Sequence, residues 1–517
     1  MPDEGYLNES LRKIAKGAGI GFAGTFIGLV LGYFSRMVIA RFLGPGDYGL
    51  ISLGFAGMLI AVTLSSVGLP EGIKRYISFY KGKGDEGRIK GTIIGALKIS
   101  VPLSLVLALL FFFYADWISI HIFHDAGLTP ILRIFAIGVP FLVLAQIFWS
   151  AATGFHDLRC RVYVNDLFQN IFKLFAIVSL LLLGFGVIGA AWGWVLAVIL
   201  MPFLAFYFFE KKIFPILKMK VKAIAMEKKL FYFSYPLIFA GLAGVISAWT
   251  DTIMLGHFCT SFEVGIYNAA LPTAKLIGIG SGAFATIFMP VVSELYARDK
   301  VEDLRNIFSI VTKWIFFLTL PIFLLVSLFS EEIINIMFGS DYIIGASALR
   351  ILAFSYFITS LFGLAAPLLQ SYGRTRVIMG CGFIGAFVNF ILNFLLIPLY
   401  GVSGAAIATG ISAVFVGAIF LLSVYRIGRM QPFGFNYLKP VVASMIAVSV
   451  VYTTTKYLIG VSLLSLVVMF FLFLIIYFFL LLFFKSFEEG DLMIMRAMDE
   501  RLGLKSDWIR RVIRKFL

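Results

Sequence analysis

Three cations stand inside otherwise apolar stretches of this chain: Arg36, Lys173 and Lys275. A charge at the centre of a bilayer costs on the order of 2.5–3.5 kcal/mol on insertion scales, so it faces a cavity or a partner. Together the three suit a phosphate anion, which Arg grips bidentately and Lys attracts as a point charge. Each has a plainer alternative. Arg36 can snorkel toward the outer interface. Lys173 follows Asp166 by two helical turns and can form a structural ion pair with it. Lys275 lies too deep to snorkel easily.

A second constellation joins Asp251, Asn389, Asn393 and Thr409. Asn389 and Asn393 share a helix face at i and i+4. One carboxylate, two amide oxygens and a hydroxyl suit a hard monovalent cation such as Na⁺. A proton on Asp251 is the simpler version, and hydrogen bonding between helices is the bland one. Asn165, Gln169 and Asn170 could bond sugar hydroxyls or stitch helices together. The three cysteines, Cys160, Cys259 and Cys381, are far apart in sequence. They form no zinc or CxxC motif, so neither a transition-metal site nor a disulfide framework is expected, nor any other cofactor. Catalytic residues are not expected either. The acid pairs Glu331-Glu332 and Glu488-Glu489 are not placed in a cleft by anything in the sequence.

The elements that position these residues follow from composition. Of 517 residues, 61% are hydrophobic and 14% charged, against about 45–50% and 25% in soluble proteins. The apolar runs reach the roughly 20 residues that cross a hydrocarbon core as a helix. The chain therefore reads as an all-α integral membrane protein of about fourteen spans: 18–41, 47–70, 92–115, 130–154, 163–183, 188–209, 232–257, 264–290, 307–329, 343–370, 377–399, 402–425, 438–457 and 460–484. The net charge of +15 suggests a nucleic-acid partner until its location is considered. Of the 43 Lys and Arg, 34 fall in segments on the side of the N-terminus. By the positive-inside rule that side is the cytoplasm, with both termini on it. No nucleic acid is expected as a partner, and no cleaved signal peptide is expected before the first span. The outer loops are too short for a catalytic domain.

Residues 36–209 repeat as 252–425. Lys98 matches Lys313, and Arg133 in Leu-Arg-Ile matches Arg350 in Leu-Arg-Ile. Arg159-Cys160-Arg161-Val162 matches Arg374-Thr375-Arg376-Val377. Gly186-Val187-Ile188-Gly189-Ala190-Ala191 matches Gly401-Val402-Ser403-Gly404-Ala405-Ala406. Asp47-Tyr48-Gly49-Leu50 matches Glu263-Val264-Gly265-Ile266, while Ser35 stands opposite Asp251, which leaves the cation site one-sided. Copies of six spans have the same orientation, which implies two six-helix lobes related by an axis along the membrane normal. The expected organisation is a cytoplasmic segment 1–17, an N-lobe 18–209, a linker 210–231, a C-lobe 232–425, two further spans within 438–484, and a tail 485–517. In that tail Trp508, Ile509, Val512, Ile513 and Phe516 alternate with Arg510, Arg511, Arg514 and Lys515. This pattern reads as a basic amphipathic helix on an anionic leaflet, with a protein dock as the other reading.

Three runs resemble signatures of polysaccharide or oligosaccharide-lipid flippases. They are Ala40-Arg41-Phe42-Leu43-Gly44-Pro45-Gly46-Asp47-Tyr48-Gly49-Leu50, Gly68-Leu69-Pro70-Glu71-Gly72-Ile73-Lys74-Arg75-Tyr76, and Asp251-Thr252-Ile253-Met254-Leu255-Gly256-His257-Phe258. The superfamily also holds multidrug and toxin extrusion (MATE) carriers and the lipid II flippase. The resemblance covers about residues 10–485 and implies a MATE-like fold with two added helices. It implies a multi-pass protein of the cell membrane that moves a polyprenyl-phosphate or -pyrophosphate oligosaccharide to the outer leaflet by alternating access. Membrane lipids, glycosyltransferases and a glycan polymerase are the further partners it suggests. Some members carry a sodium site on the C-lobe helices, where this sequence has Asn393 in place of a second acid. Bending of span 1, here rich in glycine at Gly17, Gly19, Gly21, Gly24, Gly28 and Gly32, is likewise implied by the resemblance. Close helix packing is the alternative role for those glycines. Arg133 and Arg350 read as interface anchors, and Lys74, Arg75 and Arg88 as positive-inside charge that could also attract phosphate. The rivals are a multidrug exporter, for which an acidic aromatic cleft is expected, a membrane glycosyltransferase or ligase, and a scaffold for a glycan machine.

Overall fold

The computed structural model describes residues 4–218, 220–460, 462–492 and 507–514, with side chains described from Gly24 onward apart from a few positions. Gly17, Gly19 and Gly21 lie outside the residues whose surroundings are described, as do the side chains of Trp508, Ile509 and Val512 and all of Lys515 and Phe516. The described residues are nearly all helical, with no strand. Eleven of their helices are long and apolar enough to cross a membrane.

In chain order the main helices are α1 (Glu4–Ser66), α2 (Leu69–Gly82), α3 (Glu86–Phe113), α4 (Leu128–Gly154), α5 (Arg159–Leu182), α6 (Gly186–Lys212), α7 (Glu227–Phe258) and α8 (Ser261–Lys275). They continue as α9 (Ile279–Ala297), α10 (Val301–Leu328), α11 (Ser340–Ser371), α12 (Thr375–Gly428), α13 (Leu438–Ile459), α14 (Leu463–Phe483) and α15 (Asp507–Arg514). The 54 residues of α12 and the 43 of α1 from Gly24 onward are about twice what one crossing needs. Each contains one glycine off the helical path, Gly44 (φ 78°) in α1 and Gly401 (φ 54°) in α12. Such a backbone suits glycine, and Pro45 restarts the helix in its first turn, where its missing N–H costs nothing. The run expected as one span over 264–290 is instead two helices, α8 and α9, separated by a 3₁₀ turn at Leu276–Gly278.

The chain divides into two compact units, Met1–Ala269 and Ala270–Leu517. In the first, α4 is the central helix. Its Leu132, Phe135, Val139, Val143 and Ala151 are all buried. The segment before α7 is held to α3, where the Ile224 N–H donates to Gly87 O at 3.0 Å and Lys98 Nζ meets Glu227 Oε1 at 2.9 Å. In the second unit, Phe316, Phe357, Ala447, Phe473 and Tyr477 form a core that also takes in Ile513 of α15, 1% exposed. The repeated arginines each pair with an acid of the preceding segment. Arg133 bonds Asp116 in the first unit, and Arg350 bonds Glu331 and Ser330 at 2.7 Å each in the second.

Candidate functional site

The first unit brings two of the three candidate cations together. Its geometry starts from the glycines of α1. Gly24, Gly28 and Gly32 recur every four residues, and they meet Val162, Asp166 and Asn170 of α5, which recur with the same spacing. A Cβ on Gly28 would stand 2.8 Å from the Asp166 carbonyl oxygen, so only glycine lets the two backbones approach this closely. Facing α1, residues Val162–Phe168 form a π-helical turn, a feature often found at functional sites.

The close approach creates a chain of hydrogen bonds. Thr25 Oγ1 donates to Asp166 Oδ2 at 3.1 Å, and Asn165 Nδ2 donates to Asp166 Oδ1 at 2.8 Å. Asn170 Nδ2 donates to Asp166 O and to Gly28 O, at 2.8 and 3.3 Å. Its Oδ1 accepts from Lys173 Nζ at 2.9 Å. Lys173 is 5% exposed and its ammonium lies 4.6 Å above the Trp194 ring. Arg36 is near enough to act on Lys173 as a like charge, and it also hydrogen-bonds Tyr48. The Tyr48 hydroxyl donates to Asn268 O at 3.2 Å. Asp166, the sequence's alternative partner for Lys173, is instead occupied by Thr25 and Asn165. Lys173 therefore sits beside an amide, a ring and a second cation.

Trp194 adds a buried indole Nε1 with no hydrogen-bond partner among the described residues, and its ring lies 4.6 Å from that of Phe55. An unmet buried donor of this kind costs about 1–3 kcal/mol until an acceptor arrives. Sequence reasoning missed Trp194, Thr25 and Tyr48. The only signal for Thr25 was the four-residue glycine rhythm around it. Tyr48 stood in the signature run 40–50 without a role assigned to it, and nothing local marked Trp194.

The second constellation is divided between the units. Asp251 of α7, 6% exposed, accepts from the Tyr267 hydroxyl at 2.5 Å. Beside it, Asn268 Nδ2 donates to Thr252 Oγ1 at 3.1 Å and to Val264 O at 2.9 Å. In the second unit, Asn393 Nδ2 donates to Asn389 Oδ1 at 3.1 Å, and Asn389 Nδ2 to Thr409 Oγ1 at 3.4 Å. Asn389 and Asn393, one turn apart, are thus hydrogen-bonded to each other, and Thr409 reaches Asn389 from beyond the Gly401 break. Lys275 is exposed at the end of α8. Gln169 is half-buried and makes no hydrogen bond among the described residues, whereas Asn165 and Asn170 spend their amides inside the protein. Among the described residues no group of three or more His, Cys, Asp or Glu could hold a metal.

The chain is similar to membrane flippases and transporters. The family described as polysaccharide biosynthesis protein matches residues 14–296, and the family MatE matches 236–395. An uncharacterized membrane protein of Methanocaldococcus jannaschii is 27% identical over 435 residues, spanning 80% of this chain and 83% of its own length. The probable low-salt glycan biosynthesis flippase Agl15 of Haloferax volcanii is 28% identical over 194 residues, 38% of this chain and 41% of its own. The fold is similar to that of the lipid II flippase MurJ in an inward closed conformation, with TM-score 0.70 at 18% identity over 90% of this chain and 99% of that one.

Proposed function

The chain belongs to the polysaccharide biosynthesis protein family, and from that membership we propose that it flips a polyprenyl-phosphate or -pyrophosphate oligosaccharide across the cell membrane. The chain is a multi-pass membrane transporter and not an enzyme. The direction we propose is from the cytoplasmic to the outer leaflet, by alternating access, with both termini cytoplasmic. The 34 basic residues on one side support that orientation. Glycosyltransferases that build the glycan on the inner side, and a polymerase outside, are the partners this direction calls for.

The observation that carries the reading is Lys173. It is a cation 5% exposed in an apolar helix, hydrogen-bonded to an amide and placed near Arg36. An anionic substrate supplies the charge this pair lacks, whereas a cationic drug would add to the repulsion. Arg36 and Lys173 would hold phosphate oxygens, and Lys275, exposed in the second unit, would offer a further cation. Gln169 and the Trp194 N–H would serve sugar or phosphate acceptors. For coupling, Asn389, Asn393 and Thr409 offer oxygens to Na⁺ in the second unit, and Asp251 in the first offers a site for a proton.

The test is flipping of a labelled polyprenyl-pyrophosphate oligosaccharide in proteoliposomes, with and without Na⁺ or H⁺ gradients. Losing a charge-assisted hydrogen bond costs about 1.5–3 kcal/mol, so Arg36→Ala and Lys173→Ala should each slow flipping by about 10- to 100-fold. Asp251→Asn should remove only the gradient dependence. Export of organic cations by a folded protein that does not flip the glycolipid would replace this reading with a multidrug exporter.

A further inference from the structure

A second basic site lies apart from Lys173, where α2 packs on the first turns of α7. The packing is tight: a Cβ on Gly72 would stand 2.2 Å from Ser234 Oγ. Along this seam cations and rings alternate. Arg75 Cζ lies 4.2 Å from the Phe233 ring centre and 5.8 Å from that of Tyr76. Lys229 Nζ lies 5.6 Å from the Tyr76 centre and 5.8 Å from that of Tyr80, and it donates to Tyr80 Oη at 3.2 Å. Arg88 Cζ lies 5.4 Å from the Tyr80 centre. The ladder thus draws on α2 and the adjacent α3, and on α7 more than 140 residues later in sequence.

Three neighbouring cations have acid partners, Lys74 with Glu71, Arg88 with Asp85 and Lys98 with Glu227, while Lys81 and Lys83 lie against the rings of Phe155 and Phe79. Arg75 and Lys229 have none among the described residues. Both are exposed, and both lie against rings rather than extending into water. Two residues before Lys229, Glu227 is tied to Lys98. Ordinary topology charge needs only net positive charge on one side. It does not call for two unneutralised cations held on a common tyrosine.

The surroundings point to lipid. α2 follows the apolar helix of α1 after a two-residue break and buries Leu69, Ile73, Tyr76, Ile77 and Tyr80 on one face. Phe79 is 49% exposed, with Lys83 Nζ 4.6 Å from its ring centre. An exposed aromatic ring flanked by cations at the end of an apolar helix suits the headgroup level of a bilayer.

We propose that Arg75 and Lys229, preset on Tyr76 and Tyr80, form a binding site for the anionic phosphodiester headgroup of a resident membrane lipid. The site is separate from the substrate cations Arg36 and Lys173. Its occupant would anchor the α2–α7 seam to one leaflet.

The test is native mass spectrometry of the full chain in detergent, titrated with phosphatidylglycerol and, separately, with phosphatidylcholine. Each basic residue near an anionic lipid contributes about a fivefold gain in binding. The Arg75→Ala/Lys229→Ala double variant should therefore bind phosphatidylglycerol about 25-fold more weakly. Arg75→Lys should retain most binding. Lys300→Ala, at a cation paired with Asp303 elsewhere, should change nothing. If the double variant does not purify, Lys229→Met alone should show the fivefold loss. Unchanged binding in the double variant or in Lys229→Met would overturn the proposal, as would equal affinity for phosphatidylcholine. A polyprenyl phosphate that displaces phosphatidylglycerol at far lower concentration would also overturn it, by making the ladder a substrate site. Because detergent binding does not depend on which leaflet the site faces or on flipping, failure here leaves the flippase reading to its own assay.

Discussion

Gly49→Ala is expected to slow flipping at least about tenfold while leaving a helical, soluble-in-detergent protein, and Gly265→Ala to do the same. The two glycines face each other reciprocally. A Cβ on Gly49 would stand 1.7 Å from Ser261 O, and a Cβ on Gly265 would stand 1.9 Å from Pro45 O. Real Cβ atoms essentially never come within 3.0 Å of such a neighbour. Both obstacles are backbone carbonyls, so no rotamer change relieves the clash. The start of α8 and the second half of α1 must then part. Because the obstacles are rigid backbone, the upper part of the usual overpacking cost of about 1–3 kcal/mol applies, and about 2–3 kcal/mol is a roughly 30- to 150-fold change in an equilibrium between two arrangements. We expect this contact to form and break during transport, which is why the cost falls on rate. Three measurements check it together: proteoliposome flipping, the thermal midpoint, and the rate of disulfide formation between Pro45→Cys and Ser261→Cys. Alanine at position 49 should slow that cross-link. Wild-type flipping with an unchanged cross-linking rate would show that the contact has no part in transport.

The second large effect is on stability and comes from Lys313→Met. Asp491, fully buried, accepts from Lys313 Nζ at 2.8 Å, from Trp314 Nε1 at 2.9 Å and from the Glu488 N–H at 2.7 Å. Lys313 is itself 6% exposed at the side chain. Removing one partner strands a buried charge, at about 3–5 kcal/mol. Lys98 is the matched residue of the sequence repeat, and it too pairs with an acid distant in sequence, Glu227. Its side chain is 65% exposed, and such pairs contribute about 0–1 kcal/mol. Lys98→Met should therefore barely move the thermal midpoint in detergent, while Lys313→Met should lower it clearly. The Lys313→Met/Asp491→Leu double variant should regain much of the loss, because an apolar pair of similar size can replace a buried ion pair. Equal midpoints for Lys98→Met and Lys313→Met would mean that burial does not set the value of these pairs.

These two cases separate what could be read along the chain from what could not. Transfer of a side chain into hydrocarbon is close to a local, residue-by-residue quantity, so the apolar runs alone marked a helical membrane protein and marked Arg36, Lys173 and Lys275 as exceptional. The resemblance carried by residues 40–50, 68–76 and 251–258 agrees with the family that matches 14–296. The i, i+4 spacing of Asn389 and Asn393 was enough to place their amides together, because one helix fixes both.

Partner choice was not legible in the same way. Lys173 bonds Asn170 and not Asp166, because the α1 glycines bring Thr25 to Asp166 across 141 residues of sequence. Gly49 and Gly265 looked like matched letters of a repeat, and their reciprocal contact appears only once the two segments are packed. Lys98 and Lys313 looked equivalent, yet one is exposed and the other buried. The sequence by itself determined the solvent of this protein and marked Lys173 as a charge out of place, through short-range transfer energies. The tertiary structure alone decided which groups neutralise the protein's charges, since ion pairs and backbone approaches depend on distances that no local pattern encodes.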